Sequence, residues 1–140
     1  MKVTAKYDFK GFKILKANIS HVQDKQITSF TIFAQKGKYN SDNNIYEILS
    51  EVTFNYGDEI NVCLISAGFL INDLDWLEIM AESTVVNELF RVLFPYIRAK
   101  IQEFTTDVRP GFMLPIIDFN TLDVTRKVIF NLNKSEPLTN

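Results

Sequence analysis

Apolar and polar residues alternate with a period of two along the first half of the chain, which is the pattern of half-buried β-strands. The clearest alternation covers residues 45–56. Ile48, Val52 and Phe54 fall on one of its faces, and most of the residues between them are polar. A turn at Gly57 and Asp58 should then reverse the chain. We therefore predict a strand over 45–56 with one buried face.

Three more segments carry strand patterns. Residues 60–71 are apolar on both faces, which predicts a strand covered on both sides, by helices or by another subunit. Residues 27–35 form a third candidate, closed by a polar loop over 37–44, and residues 12–22 form a weaker fourth. Because consecutive strands with short links tend to pair with each other, we expect a four-stranded antiparallel meander.

The period changes to 3.6 residues from Ser83 onward, which predicts an amphipathic helix. Its apolar positions are Val85, Val86, Leu89, Phe90, Leu93, Tyr96, Ile97, Ile101 and Phe104. Pro95 interrupts the pattern and should kink the helix or start a second one, because its ring clashes with the preceding turn. We expect the helix to end near Thr105 or Thr106. The stretch 72–82 before it predicts a crossover with a helical turn.

The C-terminal part, residues 122–133, fits two patterns. Asp118 could cap a helix that carries Leu122 and Ile129 on one face, whereas Val124, Val128 and Phe130 alternate as a strand would. We favour the helix and leave the strand open. The predicted class is α+β, with a four-stranded antiparallel sheet in the N-terminal half, a long kinked helix and a C-terminal helix.

Composition agrees with a single domain over residues 1–140. Apolar residues make up 46% of the chain, and 12 Phe, 5 Tyr and 1 Trp are enough for a core. The formal net charge of −2 makes the chain a poor match for nucleic acid. No apolar run is long enough for a signal peptide or a membrane span. We expect a soluble, cytoplasmic protein with no membrane insertion.

Metal and thiol chemistry have little support in the sequence. The chain has one cysteine, Cys63, and one histidine, His21, so neither an intramolecular disulfide nor a four-ligand Cys/His zinc site can form within it. Cys63 lies among apolar residues, where a thiol is inert because burial raises its pKa. His21 has no neighbouring ligand residue. We predict no metal site and no cofactor.

Catalytic chemistry is equally unsupported. The acids of the crossover segment could pair as acid and base or bind a cation, but solvated acids of a connecting segment are the simpler interpretation. They are Asp73, Asp75, Glu78 and Glu82. No phosphate-binding glycine loop, nucleophile elbow or zinc-protease motif occurs in the chain. We therefore predict that the protein is not an enzyme.

One stretch in the helix resembles a family signature. Residues 93–98, LFPYIR, are similar to the LFPYxR motif on the first long helix of the SecB family of export chaperones. Downstream, Gly111 matches the glycine that opens the family's crossover loop. Residues 114–119, LPIIDF, resemble the family's L-x-P-[VI]-[ND]-F. The resemblance covers residues 59–122 in motif and the rest in architecture.

This resemblance implies an assembly, an activity and two sets of site residues. It implies a homotetramer, a dimer of dimers packed through the long helix, that holds unfolded polypeptides or preproteins in hydrophobic grooves without ATP. The motif and interface set is Leu93, Phe94, Pro95, Tyr96 and Arg98. The client-binding set is Phe112, Met113, Leu114, Ile116 and Ile117, which supply apolar area suited to many sequences.

Two alternatives to a general export chaperone stay open. The tail after residue 132 has no Cys or His, so the family's zinc-binding tail that docks on the SecA motor is missing and SecA delivery is in doubt. This favours a dedicated SecB-like chaperone of one partner, such as the antitoxin of a toxin–antitoxin pair. A small-ligand binding protein that uses a cavity between sheet and helix is the further alternative.

Overall fold

One antiparallel sheet and one long helix dominate the computed structural model, which describes residues 5–18, 27–56, 59–104 and 121–131. The predicted α+β class is confirmed. The elements are β1 (Tyr7–Asn18), β2 (Ile27–Asn40), β3 (Ile45–Tyr56), β4 (Glu59–Ile71), α1 (Leu74–Ile79), α2 (Glu82–Phe104) and β5 (Val128–Asn131).

The strand order in the sheet is β1-β4-β3-β2-β5, and all neighbours are antiparallel. Strands β2, β3 and β4 form the predicted meander. The polar loop predicted over 37–44 is wrong for its first part, because β2 continues to Asn40 and pairs there with β3. The prediction is wrong for β1, which pairs with β4 instead of β2 and gives the order of a Greek key. The chain between Asn18 and Ile27 is longer than the roughly two to five residues of a hairpin loop. That length lets β1 and β2 lie at separate places in the sheet.

Helix α2 covers one face of the sheet, here called the inner face. Its buried residues are Val85, Val86, Leu89, Phe90, Leu93, Phe94, Ile97 and Ile101. They confirm the stripe predicted from the period of 3.6 except at Tyr96, which is exposed where Phe94 is buried. On the sheet, the buried face predicted for β3 is also confirmed, with Ile48, Val52 and Phe54 at its centre. The stripe and this face together form one hydrophobic core.

Pro95 lies within α2, which continues through it as one helix. The alternative of a second helix starting at Pro95 is therefore wrong. Pro95 is on the solvent-exposed side, and the carbonyl four residues earlier belongs to Arg91, which is also exposed. Water can hydrogen-bond a carbonyl that lacks its helical partner at such a position. The predicted helix end at Thr105 or Thr106 lies outside the described residues.

The predicted C-terminal helix is wrong over the described residues 121–131, because Val128–Asn131 forms β5 beside β2. The described sheet therefore has five strands instead of four. β-Branched residues favour strands, since their side chains are stiff in a helix and pack well on a pleated surface. Phe130 stacks on Phe30 of β2 with ring centroids 4.6 Å apart. The alternation that includes Val128 and Phe130 therefore predicts the correct element, a strand.

Side-chain hydrogen bonds from α2 hold the segment that leads into β5. Asn87 donates to Asp123 Oδ1 at 2.9 Å and accepts from the backbone N–H of Val124 at 2.8 Å. The carbonyl of Val124 accepts from the N–H of Ala34 in β2 at 2.7 Å. Because Val124 is fully buried, these bonds satisfy polar groups that have no access to water. They join the helix, the C-terminal segment and the sheet.

The opposite, outer face of the sheet carries apolar residues that helix α2 does not cover. In β4, Val62, Leu64 and Leu70 are partly exposed, and Ile60 is 67% exposed. On β5, Ile129 is 71% exposed. The expectation that β4 is covered on both sides thus holds for its inner face, and the outer face presents a mixed apolar and polar surface.

Candidate aromatic groove beside the edge strand

The client-binding residues predicted from the sequence, Phe112, Met113, Leu114, Ile116 and Ile117, lie outside the described residues, as does His21. The motif residues on α2 are described. They divide between the core and the surface. Leu93 and Phe94 are buried in the core of the single chain, and Phe94 packs on Phe90 with ring centroids 5.9 Å apart. Pro95 is exposed, Tyr96 is 46% exposed and Arg98 is half-buried.

Tyr96 belongs to a cluster of rings between α2 and the edge strand β1. Its ring lies 4.8 Å from that of Phe9 and 6.0 Å from that of Phe12, measured between centroids. Phe9 also packs on the buried Phe69 of β4 at 5.3 Å. Phe9 and Phe12 are themselves half-buried. We call the part-exposed rings of Phe9, Phe12 and Tyr96 the aromatic groove.

A β-bulge brings the two phenylalanines to one face. Side chains three residues apart point to opposite faces of a regular strand. The pairing of β1 with β4 shifts between Phe9 and Gly11, so Phe9 pairs with Phe69 and Phe12 with Ala67, both buried inner-face residues. Gly11 has a φ of +117°, a conformation that favours glycine. The strand predicted from the sequence began at Phe12 and so left out Phe9, although the aromatic residues of YDFKGF, residues 7–12, were a signal for this site.

Charged groups border the groove at one end. Tyr7 packs on Trp76 at 5.4 Å, and the ammonium of Lys6 lies 5.4 Å from the centroid of the same indole ring. Burial raises the pKa of Tyr7 to about 12, and the negative charge of Glu88 and a hydrogen bond to Glu88 act in the same direction. The positive charge of Arg91 lowers this pKa. The Nζ atom of Lys6 lies 3.8 Å from Oε1 of Glu88. The hydrogen bond between Tyr7 and Glu88 anchors β1 to α2.

The acids of the crossover segment and Cys63 were the groups considered for catalysis or metal binding. Asp73 caps α1 by accepting a hydrogen bond from the N–H of Trp76 at 3.1 Å. Asp75, Glu78 and Glu82 are exposed, and within the described part of the chain no group of three acidic, Cys or His residues could hold a metal ion. Cys63 is fully buried, and burial raises the pKa of its thiol to about 11, as expected for an inert core residue.

A shallow notch of about 290 Å³ lies on the outer face, where Gly11 and Gly68 face each other across β1 and β4. Its walls carry Lys10, Lys13 and Glu47 among other residues. The notch is open, so it does not provide the enclosed surface that small-molecule sites use. The aromatic groove is the stronger candidate, because rings offer large apolar contact area at low entropic cost.

The chain matches known proteins in structure but not in sequence. No protein-family model matches the chain, and no curated protein matches it in sequence. Among the solved structures that match is the SecB-like chaperone Rv1957 of Mycobacterium tuberculosis, in complex with a ChAD peptide from the Rv1956 HigA1 antitoxin. The TM-score is 0.49 and the identity 12%, over 81% of this chain and 91% of that chain.

No helix among the described residues is long and apolar enough to cross a membrane.

Proposed function

We propose that this protein is a chaperone-type binding protein that holds non-native polypeptide segments against the aromatic groove, without nucleotide and without catalysis. The observation that carries the proposal is the position of Phe9, Phe12 and Tyr96, three part-exposed rings at the edge of the sheet. Tyr96 lies within the LFPYIR stretch that resembles the SecB signature. Apolar rings with few directional partners suit a binder of many sequences.

The strength of binding sets a limit on how much of a client must be engaged. Burying one apolar side chain fully contributes about 1.5–3 kcal/mol. Micromolar affinity needs a net free energy of about 8 kcal/mol, after association costs of at least about 4 kcal/mol. Three part-exposed rings do not supply this alone. We therefore propose that Phe112, Met113, Leu114, Ile116 and Ile117 extend the contact surface, or that several copies bind one client.

Assembly as a homotetramer is part of the same proposal. The apolar stripe of α2 is buried against its own sheet, so the surface that supports self-association is the outer face with Ile60, Leu64 and Ile129. Exposed apolar surface of this kind is typical of interfaces. Light scattering on the purified protein should give a mass of four chains. A monomer that persists at micromolar concentration would contradict the tetramer.

The proposed function is tested by suppression of aggregation. Several unrelated, chemically denatured proteins are diluted into buffer without ATP, with and without the protein, and turbidity is followed. The wild type should suppress turbidity, and Tyr96→Ser should do so less well. Ala99→Ser is the matched control, since Ala99 is exposed on the same helix.

The range of clients separates the two versions of the function. Suppression across unrelated clients supports a general holdase. A dedicated chaperone would bind one partner alone, and an antitoxin-derived peptide, the kind of ligand present in the Mycobacterium tuberculosis complex, is the probe for that version. Failure with every denatured client and with the antitoxin-derived peptide would overturn the proposal.

A further inference from the structure

A row of cross-strand partners on the outer face lacks side chains at two successive strands. Glu47 of β3 pairs with Gly68 of β4, and Gly68 pairs with Gly11 of β1. The two glycines leave bare backbone beside the exposed side chain of Glu47. This bare row is the floor of the notch on the outer face, which has a volume of about 290 Å³.

The local structure explains the glycine at position 11 but not the one at position 68. Gly11 follows a bulge and has a φ of +117°, a conformation that favours glycine. The φ of Gly68 lies outside this region, and a Cβ atom there would meet Cγ2 of Ile45 at 3.4 Å, an ordinary contact distance. A larger residue is therefore compatible with the fold at position 68. A glycine inside a strand weakens the strand, and such a position often marks the close approach of a ligand or another backbone.

The size and shape of the notch suit one side chain of a polypeptide partner. Its volume is at the lower limit of small-molecule sites, which usually occupy about 300–1,000 Å³. The notch is also open above the glycines, so an occupant is enclosed only if the partner that carries it covers the rim. A side chain presented by a polypeptide meets this condition, whereas a free small molecule does not.

Charged groups on the notch restrict what the occupant can be. Glu47 lies at the inner end of the bare row, and its carboxylate only accepts hydrogen bonds, so the tip of the occupant must be a donor. Lys10 and Lys13 line the walls and are exposed, which disfavours a cationic occupant. The lysine stems and Ile45 supply apolar contact, and ammonium groups are attracted to the face of an aromatic ring.

A hydrogen bond from Ser66 holds Glu47 beside the notch. The Ser66 hydroxyl donates to Oε1 of Glu47 at 3.1 Å. A carboxylate has about four acceptor sites on its two oxygens, so Glu47 can accept a further bond. A tyrosine side chain combines an uncharged apolar ring with an O–H donor at its tip. Aromatic rings also pack well over glycine in a sheet.

We propose that the notch on the outer face binds a tyrosine side chain of a polypeptide partner. The ring lies on the backbone of Gly11 and Gly68, and the phenol donates a hydrogen bond to Glu47. The notch is on the opposite face of the sheet from the aromatic groove. The inference therefore goes beyond the proposed function and does not depend on it.

Two capped pentapeptides test the inference. One carries Tyr between two pairs of glycines, and its twin carries Phe instead of Tyr. NMR chemical shifts of the backbone amides give the position and the affinity of each peptide. The Tyr peptide should shift the amides of Gly11 and Gly68, with a dissociation constant on the order of millimolar, as expected for so small a ligand. The Phe peptide should bind about tenfold more weakly, because it offers Glu47 no donor.

Gly68→Val separates a binding role of Gly68 from a structural one. Valine fills the notch and suits a strand, so the affinity for the Tyr peptide should fall at least about tenfold. The free energy of unfolding should stay at or above that of wild type. Gly68→Ala adds a single carbon and should weaken binding less. Thr31→Val is the matched control, since Thr31 is half-buried on the outer face of β2, and it should bind as wild type does.

Four results would overturn the inference. The first two are equal affinities of the Tyr and Phe peptides and unchanged affinity in a folded Gly68→Val. The third is a loss of stability in both Gly68 variants, which would show that the fold itself needs this glycine. The fourth is a change of mass in Gly68→Val by light scattering, which would show that a second copy of the chain occupies the notch.

Discussion

The phenol of Tyr46 lies against the backbone of Gly37, and its oxygen accepts a hydrogen bond from the Gly37 N–H at 3.1 Å. A Cβ atom added at Gly37 would overlap with the ring of Tyr46. The pairing of β2 with β3 shifts between Gln35 and Lys38, so Gly37 lies in a bulge. The absence of a side chain there lets a buried ring close this end of the core.

Gly37→Ala should destabilise the protein by about 1–3 kcal/mol, the usual cost of overpacking. Chemical denaturation measures the free energy of unfolding. Gly68→Ala is the control, because a Cβ there would meet Ile45 at an ordinary contact distance of 3.4 Å. Equal stability of Gly37→Ala and wild type would show that Tyr46 moves away freely.

Asn87→Ala should release the C-terminal segment from α2. The change removes the bonds from Asn87 to Asp123 and Val124 and leaves the N–H of Val124 without its partner. The cost should be about 1–3 kcal/mol, with faster hydrogen exchange over residues 121–131. Thr84→Ala, at an exposed position of the same helix, should change neither. Unchanged exchange in Asn87→Ala would mean that packing of Phe130 alone holds β5.

The carboxylate of Asp123 predicts a pH dependence. Hydrogen bonds from Thr125, then from Asn87, hold the pKa of Asp123 below its ordinary value of 3.8. Because the pKa is lower in the folded state, the stabilisation is present above pH 3.8 and is lost as the pH falls through the folded value. The stability difference between wild type and Asp123→Asn should therefore shrink below about pH 4. A difference that is constant from neutral pH to acid would contradict this role.

Ser50 presents a buried hydroxyl with no hydrogen-bond partner among the described residues. A buried polar group in that state is costly, whereas a methyl group is not. Ser50→Ala should leave stability unchanged or raise it by about 1 kcal/mol. Ser66→Ala is the comparison, since the Ser66 hydroxyl is on the outer face and donates to Glu47 at 3.1 Å. A loss of stability in Ser50→Ala larger than in Ser66→Ala would contradict the assignment.

Regular periodicity made most of the sheet and the helix predictable. Strand β3 occupies the predicted residues 45–56, and the 3.6-residue stripe of α2 gave the helical half of the core. The bounds of strand β1 were harder to predict, because two bulges break its alternation of apolar and polar residues. The strand was therefore predicted over residues 12–22, whereas it covers Tyr7–Asn18. Its place beside β4 depends on pairing between distant residues, which local pattern does not encode.

The residues of the candidate site were also predictable only in part. Tyr96 was singled out through its motif, but as an interface residue and not as a client-binding one. Its partners Phe9 and Phe12 come from the N-terminal strand and meet it only in the folded structure. The C-terminal segment was misassigned because two periods fitted it equally. The hydrogen bonds from Asn87 and the stacking of Phe130 on Phe30 are tertiary contacts that decide such a case.

The most direct test of the central claim is the affinity of a permanently unfolded, labelled client for wild type and for Phe12→Ser with Tyr96→Ser. Both rings are part-exposed, so the double variant should stay folded while it loses two apolar contacts. At about 1.5–3 kcal/mol for each fully buried ring, the dissociation constant should rise at least about tenfold. Ala99→Ser should bind as wild type does. Unchanged client affinity in a folded double variant would contradict the aromatic groove as the client site.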